Sequence, residues 1–285
     1  MLNASKQLAL IEHHTMNQTE LLETIRAKRS FLCVGLDPDP DRIPAHLGEG
    51  AEAVLAFNLA IIEATADLAV AFKPNLAFYE ALGALGHAVL AATMAAIPEH
   101  CLAIADAKRG DIGNTAERYA TAAFDELHAD AVTLAPYMGR DSVEPFLAYQ
   151  DKWSILLAAT SNPSAEDFEF HGTPPLYEQV LRKSQTWPGA ERLMYVVGAT
   201  RPGLVKSCRE IAPNHFFLVP GVGAQGGDLA AICEAGWAPE LAGGLIVNVG
   251  RSVMYASNGE DFADAAREEA LKLQGQMAAE LESRA

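Results

Sequence analysis

Cys101-Leu-Ala-Ile-Ala-Asp-Ala-Lys-Arg-Gly-Asp-Ile-Gly-Asn-Thr115 passes from a short apolar run into a charged, glycine-broken turn, and helix-forming sequence then continues to residue 127. An apolar run of that length, closed by turn signals and lacking in-out alternation, reads as a strand buried on both faces. The segment after it supplies the covering helix. The same unit repeats along the chain. Strand candidates fall at residues 31–36, 68–72, 101–105, 131–134, 154–159, 193–197, 216–219 and 244–247. Segments rich in Ala, Leu and Glu at 51–66, 79–97, 115–127, 142–149, 176–186, 203–211, 227–235 and 261–283 read as helices. This alternation predicts an α/β fold, and eight such units in a chain of 285 residues predict a single (β/α)8 TIM barrel. A doubly wound open sheet shares the alternation and differs in closure. Residues 1–15 read as a polar N-terminal extension, and 16–285 as the barrel domain.

Composition narrows the chemistry. With 21 basic against 37 acidic residues the net charge is −16, a field that repels nucleic acid and anionic membranes. An anionic substrate would therefore need positive charge placed locally. Cys33, Cys101, Cys208 and Cys233 form no Cys-x-x-Cys pair, which suits a reducing cytoplasm. The N-terminus lacks a signal-peptide layout, and the most apolar stretch, 51–72, is interrupted by Glu52, Asn58, Glu63 and Asp67, so no membrane span is expected. The longest irregular segment, 161–175, has the length of a lid or binding loop, or of a plain surface insertion.

Charge gathers where a core strand ends. Asp106 and Lys108 are two apart on an extended segment and are expected on one face, with Asp111 in the turn behind them. In a barrel the C-terminal strand ends carry the active site. A plain ion pair at Asp106–Lys108, with Asp111 capping the next helix, is the structural alternative. Lys73 closes the second strand, so two lysines and two carboxylates can alternate as a Lys-Asp-Lys-Asp array. Asp37 reaches the same rim from the first strand, where Asp before Pro38 also reads as a turn. After the seventh strand, Gly221-x-Gly223-x-x-Gly226 formally matches a dinucleotide fingerprint. Only one strand remains beyond it, too few for a dinucleotide domain. Bare amides at a helix start that bind one phosphate fit better. The eighth strand adds Gly250, for close backbone approach, and Arg251, for bidentate contact with phosphate oxygens.

Asp106-x-Lys108-x-x-Asp111, Lys73, the Pro220-Gly-Val-Gly-Ala-Gln225 loop and Gly250-Arg-Ser252 together resemble the orotidine 5′-phosphate decarboxylase family, in the form of its longer-chain bacterial branch. The resemblance runs from about residue 31 to 255. It implies a cytoplasmic homodimer that converts orotidine 5′-monophosphate to uridine 5′-monophosphate (UMP) and carbon dioxide, the last step of de novo UMP synthesis, with no metal and no organic cofactor. By the same resemblance Lys108 donates the proton to C6 and Asp106 lies against the departing carboxylate. Lys73 and Asp111 complete the array, with Asp111 and Thr115 reaching the site of the neighbouring subunit. Asp37 and Lys73 would contact ribose hydroxyls, Ser161 the pyrimidine, and Gln225 and Arg251, beside Gly250, the phosphate. Thr160 and Asn162 flank Ser161 with equal capacity for that polar contact. Three other readings compete: a metal-dependent sugar-phosphate decarboxylase or aldolase on the same barrel, an NAD-dependent oxidoreductase, and a nucleotide-binding barrel without catalysis. The first would place a carboxylate near a divalent cation where this chain has Lys73. The second rests on the glycine pattern alone, and the third has no use for the full charge array.

Overall fold

In the computed structural model, which describes residues 15–222 and 227–284, eight parallel strands close into a barrel in sequence order. They are β1 Leu32–Leu36, β2 Ala71–Pro74, β3 Leu102–Arg109, β4 Ala131–Leu134, β5 Trp153–Ala159, β6 Leu193–Val197, β7 Phe217–Pro220 and β8 Leu245–Val249. Closure is made by β1 against β8, with Leu32 opposite Val247 and Val34 opposite Val249. That pairing excludes the open sheet. Every residue of β1, β2, β4 and β6 is buried, as strands covered by side chains inside and helices outside must be.

The helices are α1 Gln18–Lys28, α2 Gly50–Thr65, α3 Leu76–Glu80, α4 Gly86–Ala95, α5 Gly113–Thr121, α6 Glu144–Leu147, α7 Leu176–Ser184, α8 Pro202–Ile211, α9 Leu229–Gly236, α10 Arg251–Met254 and α11 Phe262–Ser283. The long closing helix α11 packs on α2, where Phe57 lies between the rings of Tyr255 and Phe262 at centroid distances of 5.7 and 5.2 Å. Among the described residues no helix is long and apolar enough to cross a membrane, and all four cysteines are free and buried.

Several boundaries differ from the sequence reading. Helix α1 leaves little trace in the sequence, because only Leu21 and Ile25 of its residues are buried and the wide apolar stripe of a core-facing helix is missing. Its N-terminus is nonetheless fixed by a capping box between Asn17 and Glu20. The second strand lies later than 68–72, at Ala71–Pro74, and Lys73 is therefore inside the ladder, opposite Gly35, rather than beyond it. The 79–97 helix is broken into α3 and α4. Gly83 has a φ of +70°, and a Cβ on Gly86 would meet the Tyr79 carbonyl oxygen at 1.7 Å, so both positions require glycine. The 142–149 helix contracts to the single turn of α6.

Candidate active site

Because the strands are parallel, their C-terminal ends share one rim, and the chemistry-bearing residues of β1, β2, β3 and β8 meet there. Lys73 Nζ lies 2.6 Å from Asp106 Oδ2, and Lys108 Nζ lies 2.6 Å from Asp106 Oδ1. One carboxylate thus holds two ammonium groups, one on each oxygen. The Lys73 and Asp106 side chains are 6% and 8% exposed, whereas that of Lys108 is 49% exposed. Lys108 is the member that a ligand can reach. A buried ion pair of the Lys73–Asp106 kind costs desolvation and adds little net stability; losing one partner, however, strands the other charge at a cost of about 3–5 kcal/mol.

The charges set one another. Burial opposes ionisation of Asp106, but the attraction of Lys73 and then Lys108 outweighs it and holds the carboxyl down to about 2. Burial likewise disfavours the Lys73 ammonium, and Asp106 and Asp37 overcome it, raising its pKa. Asp37 is the opposite case: burial, with Asp106 adding repulsion, pushes its carboxyl above the usual range against the pull of Lys73. Its Oδ1 is buried with no hydrogen-bond partner among the described residues. Such an oxygen at a rim is a place for a ligand hydroxyl.

The expectation that Asp106 and Lys108 share a face because the segment is extended does not hold. Lys108 has a φ of +49°, in the left-handed region, and the β3–β4 register shifts between Ala105 and Arg109. A bulge, not strand periodicity, turns the lysine back onto Asp106. Asp111 makes no ion pair within this group; its Oδ1 accepts the amide of Ile112 at 2.8 Å. It does not cap α5 either, whose N-cap residue is Ile112 with no side-chain bond. Asp111 is partly buried, and Thr115 is exposed in the first turn of α5.

On the opposite side of the rim, Gly221 has a φ of +103° and accepts the amide of Gly227 at 3.0 Å, closing the neck of the glycine loop. A Cβ on Gly227 would meet the Gly221 oxygen at 2.7 Å. Gly223 and Gly226, like the phosphate-contact candidate Gln225, lie outside the described residues. At the start of α9 the Asp228 side chain accepts the amides of Ala230 and Ala231, while the glycine amides expected to hold a phosphate lie mostly outside the described residues. The opening of α10 has no such cap. Gly250 precedes it, a Cβ there would find nothing nearer than the Gly35 oxygen at 3.5 Å, and Arg251 is exposed, its side chain making no hydrogen bond or ion pair among the described residues.

Residues 30–266 match the family model of Orotidine 5′-phosphate decarboxylase / HUMPS. The chain belongs to that family. The matched stretch of this decarboxylase/HUMPS barrel begins before β1 and ends beyond β8, so it contains every rim residue named above. The orotidine 5′-phosphate decarboxylase of Flavobacterium johnsoniae is 52% identical over 274 residues, 94% of this chain and 100% of that protein. That of Phocaeicola vulgatus is 52% identical over 268 residues, 92% of this chain and 98% of that protein. Among solved structures, Leishmania donovani OMP decarboxylase has a TM-score of 0.78 at 39% identity, covering 91% of this chain and 100% of that chain. Leishmania donovani UMP synthase has a TM-score of 0.79 at 41% identity, covering 91% of this chain and 57% of that chain.

Three residues of the family barrel that the sequence reading passed over support this rim. The Tyr255 hydroxyl donates to the Asp37 carbonyl at 3.0 Å and accepts the Asp39 amide at 2.7 Å, which fixes the β1 turn. Glu169, 9% exposed, accepts the Thr160 amide at 2.7 Å and the Thr160 hydroxyl at 2.9 Å, tying the 161–175 loop to the end of β5. Thr133 is the one polar residue of β4, and its Oγ1 lies 3.0 Å from Asp106 Oδ1. Only Thr133 carried a sequence signal, a hydroxyl within an apolar strand.

Proposed function

We propose that the protein decarboxylates orotidine 5′-monophosphate to UMP and carbon dioxide, the last step of de novo pyrimidine synthesis, with residues 16–285 as one catalytic domain working in the cytoplasm. The observation that carries this reading is the Lys73–Asp106–Lys108 array at the barrel rim, with Lys108 as its open member. Breaking the bond to the carboxylate leaves an electron pair on C6, with no adjacent carbonyl placed to absorb it. A fixed ammonium at Lys108 stabilises that developing charge and then gives up its proton to C6. Asp106, ionised throughout the neutral range, holds Lys108 in position and stands beside the departing carboxylate.

The rest of the substrate is held at a distance from the bond that breaks. Asp37, whose Oδ1 has no partner among the described residues, and Lys73 take the ribose hydroxyls. Ser161, at the end of β5, takes the pyrimidine, while the neighbouring Thr160 hydroxyl bonds Glu169. Gln225 and Arg251, at Gly250, take the phosphate, where the otherwise acidic molecule offers local positive charge. Binding energy from that phosphate is available to hold the reacting end in place.

Asp111 and Thr115 serve the site of a second copy in a homodimer. Two features support this: Asp111 stays out of the array of its own chain, and Ile112, Tyr119, Tyr137 and Met138 are large apolar side chains left 52%, 37%, 45% and 53% exposed on the β3 and β4 turns and α5. The decisive assay mixes protein and orotidine 5′-monophosphate in excess EDTA and follows the ultraviolet change as the carboxylate is lost. Rapid conversion supports a metal-independent decarboxylase; no conversion, with Mg²⁺ then failing to restore it, overturns the reading.

A further inference from the structure

The bulge that turns Lys108 toward Asp106 has a single clip. Along the β3–β4 ladder Ala105 faces Val132 and Arg109 faces Leu134, so Asp106, Ala107 and Lys108 stand opposite Thr133 alone. Consecutive amides in such a bulge lose their regular ladder partners. Here both find the same atom: Thr133 Oγ1 accepts the amides of Ala107 and of Lys108, each at 2.9 Å. A threonine hydroxyl has two lone pairs and one proton. With both lone pairs engaged, its proton remains to be donated, and Asp106 Oδ1 receives it at 3.0 Å. The residue is 1% exposed, so water does not compete for these bonds.

We infer that Thr133 is a positioning residue for the decarboxylation: its hydroxyl locks the left-handed backbone of Lys108 and the Oδ1 atom of Asp106 into one unit, so that the ammonium is aimed before substrate arrives. The inference rests on the reading of Lys108 and Asp106 given above and adds how they are held. Three bonds to one oxygen couple the lysine's backbone to the carboxylate that its own Nζ contacts, which closes a ring of interactions around the reacting position. A ring of this kind fixes geometry to a fraction of an ångström, the tolerance that a preorganised charge requires. Thr133 itself donates its only proton to Asp106 and bonds none of the residues proposed to hold the ribose, pyrimidine or phosphate.

Thr133→Val keeps the branched shape and removes only the hydroxyl. The expected result is a kcat lower by about tenfold or more, with KM and the dissociation constant for UMP each within about threefold of wild type. Thr133→Ser, which restores the hydroxyl and drops the methyl, is expected to keep kcat within about threefold. A folded Val variant with wild-type kcat overturns the inference, as does a Ser variant as impaired as Val, or a loss confined to KM. Should the Val variant fail to fold, Thr133→Cys, with a weaker donor and acceptor of similar size, decides by the same thresholds. Lys108→Ala run alongside separates the two levels of the argument. If it retains turnover, the array reading fails; if it is inactive while Thr133→Val is not, only the role of Thr133 fails.

Discussion

Asp37 carries a conflict that sequence alone does not display. Its carboxyl is pushed up by burial and by Asp106, and one oxygen has no partner among the described residues. A group whose folded pKa lies above its unfolded value favours the fold below the unfolded value, near 3.8, and that contribution is lost as pH rises through the folded value. At neutral pH the ionised Asp37 therefore strains the fold, and substrate hydroxyls would relieve it. Asp37→Asn is expected to raise Tm at pH 7 by on the order of 1–3 °C and to raise it hardly at all near pH 3, where wild-type Asp37 is already neutral. The same change is expected to lower kcat/KM by about tenfold or more, since the amide cannot accept as a charged oxygen does. Melting curves at the two pH values, read beside steady-state kinetics, test both halves; a Tm gain that is equal at both pH values would show that the charge is not the cause. Lys108 makes the complementary point about legibility. Its presence and partner were readable from Asp-x-Lys, but its φ of +49° was not, because nothing in the residue types announces a bulge where three residues face one.

At the scale of elements, what could be read was whatever apolar continuity reveals. β4 and β6 fall at the predicted residues because both are unbroken apolar runs between polar turns, Thr133 excepted. β2 lies later than its apolar run suggests, because Lys73 and Pro74 look like a strand's end while the barrel interior accepts Lys73 by pairing it with Asp106. Loop anchoring was illegible for a similar reason: a glutamate in a polar loop gives no sign that it folds inward. Glu169 nevertheless accepts two bonds from Thr160 and one from the Tyr137 hydroxyl at 3.4 Å, while Arg201, from the turn after β6, pairs with Glu166 at 3.2 Å and lies over the Phe170 ring at 5.0 Å. The 161–175 segment is thus held at its base and its flank. Glu169→Ala leaves a part-buried amide at Thr160 unsatisfied, a loss of about 1–3 kcal/mol concentrated on this loop. Limited proteolysis is expected to cut the variant within 161–175 several times faster than wild type, and KM for orotidine 5′-monophosphate is expected to rise by about threefold to tenfold. Unchanged cleavage would mean that the Arg201 contacts suffice to hold the loop.

The whole molecule bears on where Asp111 acts. Inside one chain the array is a Lys-Asp-Lys set, and among the described residues the Asp111 side chain bonds only the amide next to it. A fourth charge supplied by a second copy has a consequence that no single-chain arrangement shares. Lys108→Ala and Asp111→Ala are each expected to reduce turnover by at least about a hundredfold on their own. In a mixed dimer of the two variants, one site combines both defects. The other site has an intact Lys108 from the Asp111→Ala chain and an intact Asp111 from the Lys108→Ala chain, and is wild type in every functional group. If subunits exchange freely at equal concentration, about half of the dimers are mixed and half of their sites are whole, so activity should return to roughly a quarter of the wild-type level. Mixing the two inactive proteins, with brief dilution to allow exchange, and assaying against each alone gives the answer. Recovery near a quarter places Asp111 in the neighbour's site; no recovery, with exchange confirmed by differently tagged chains, confines Asp111 to its own barrel and leaves the apolar surface at Ile112 and Met138 to some other contact.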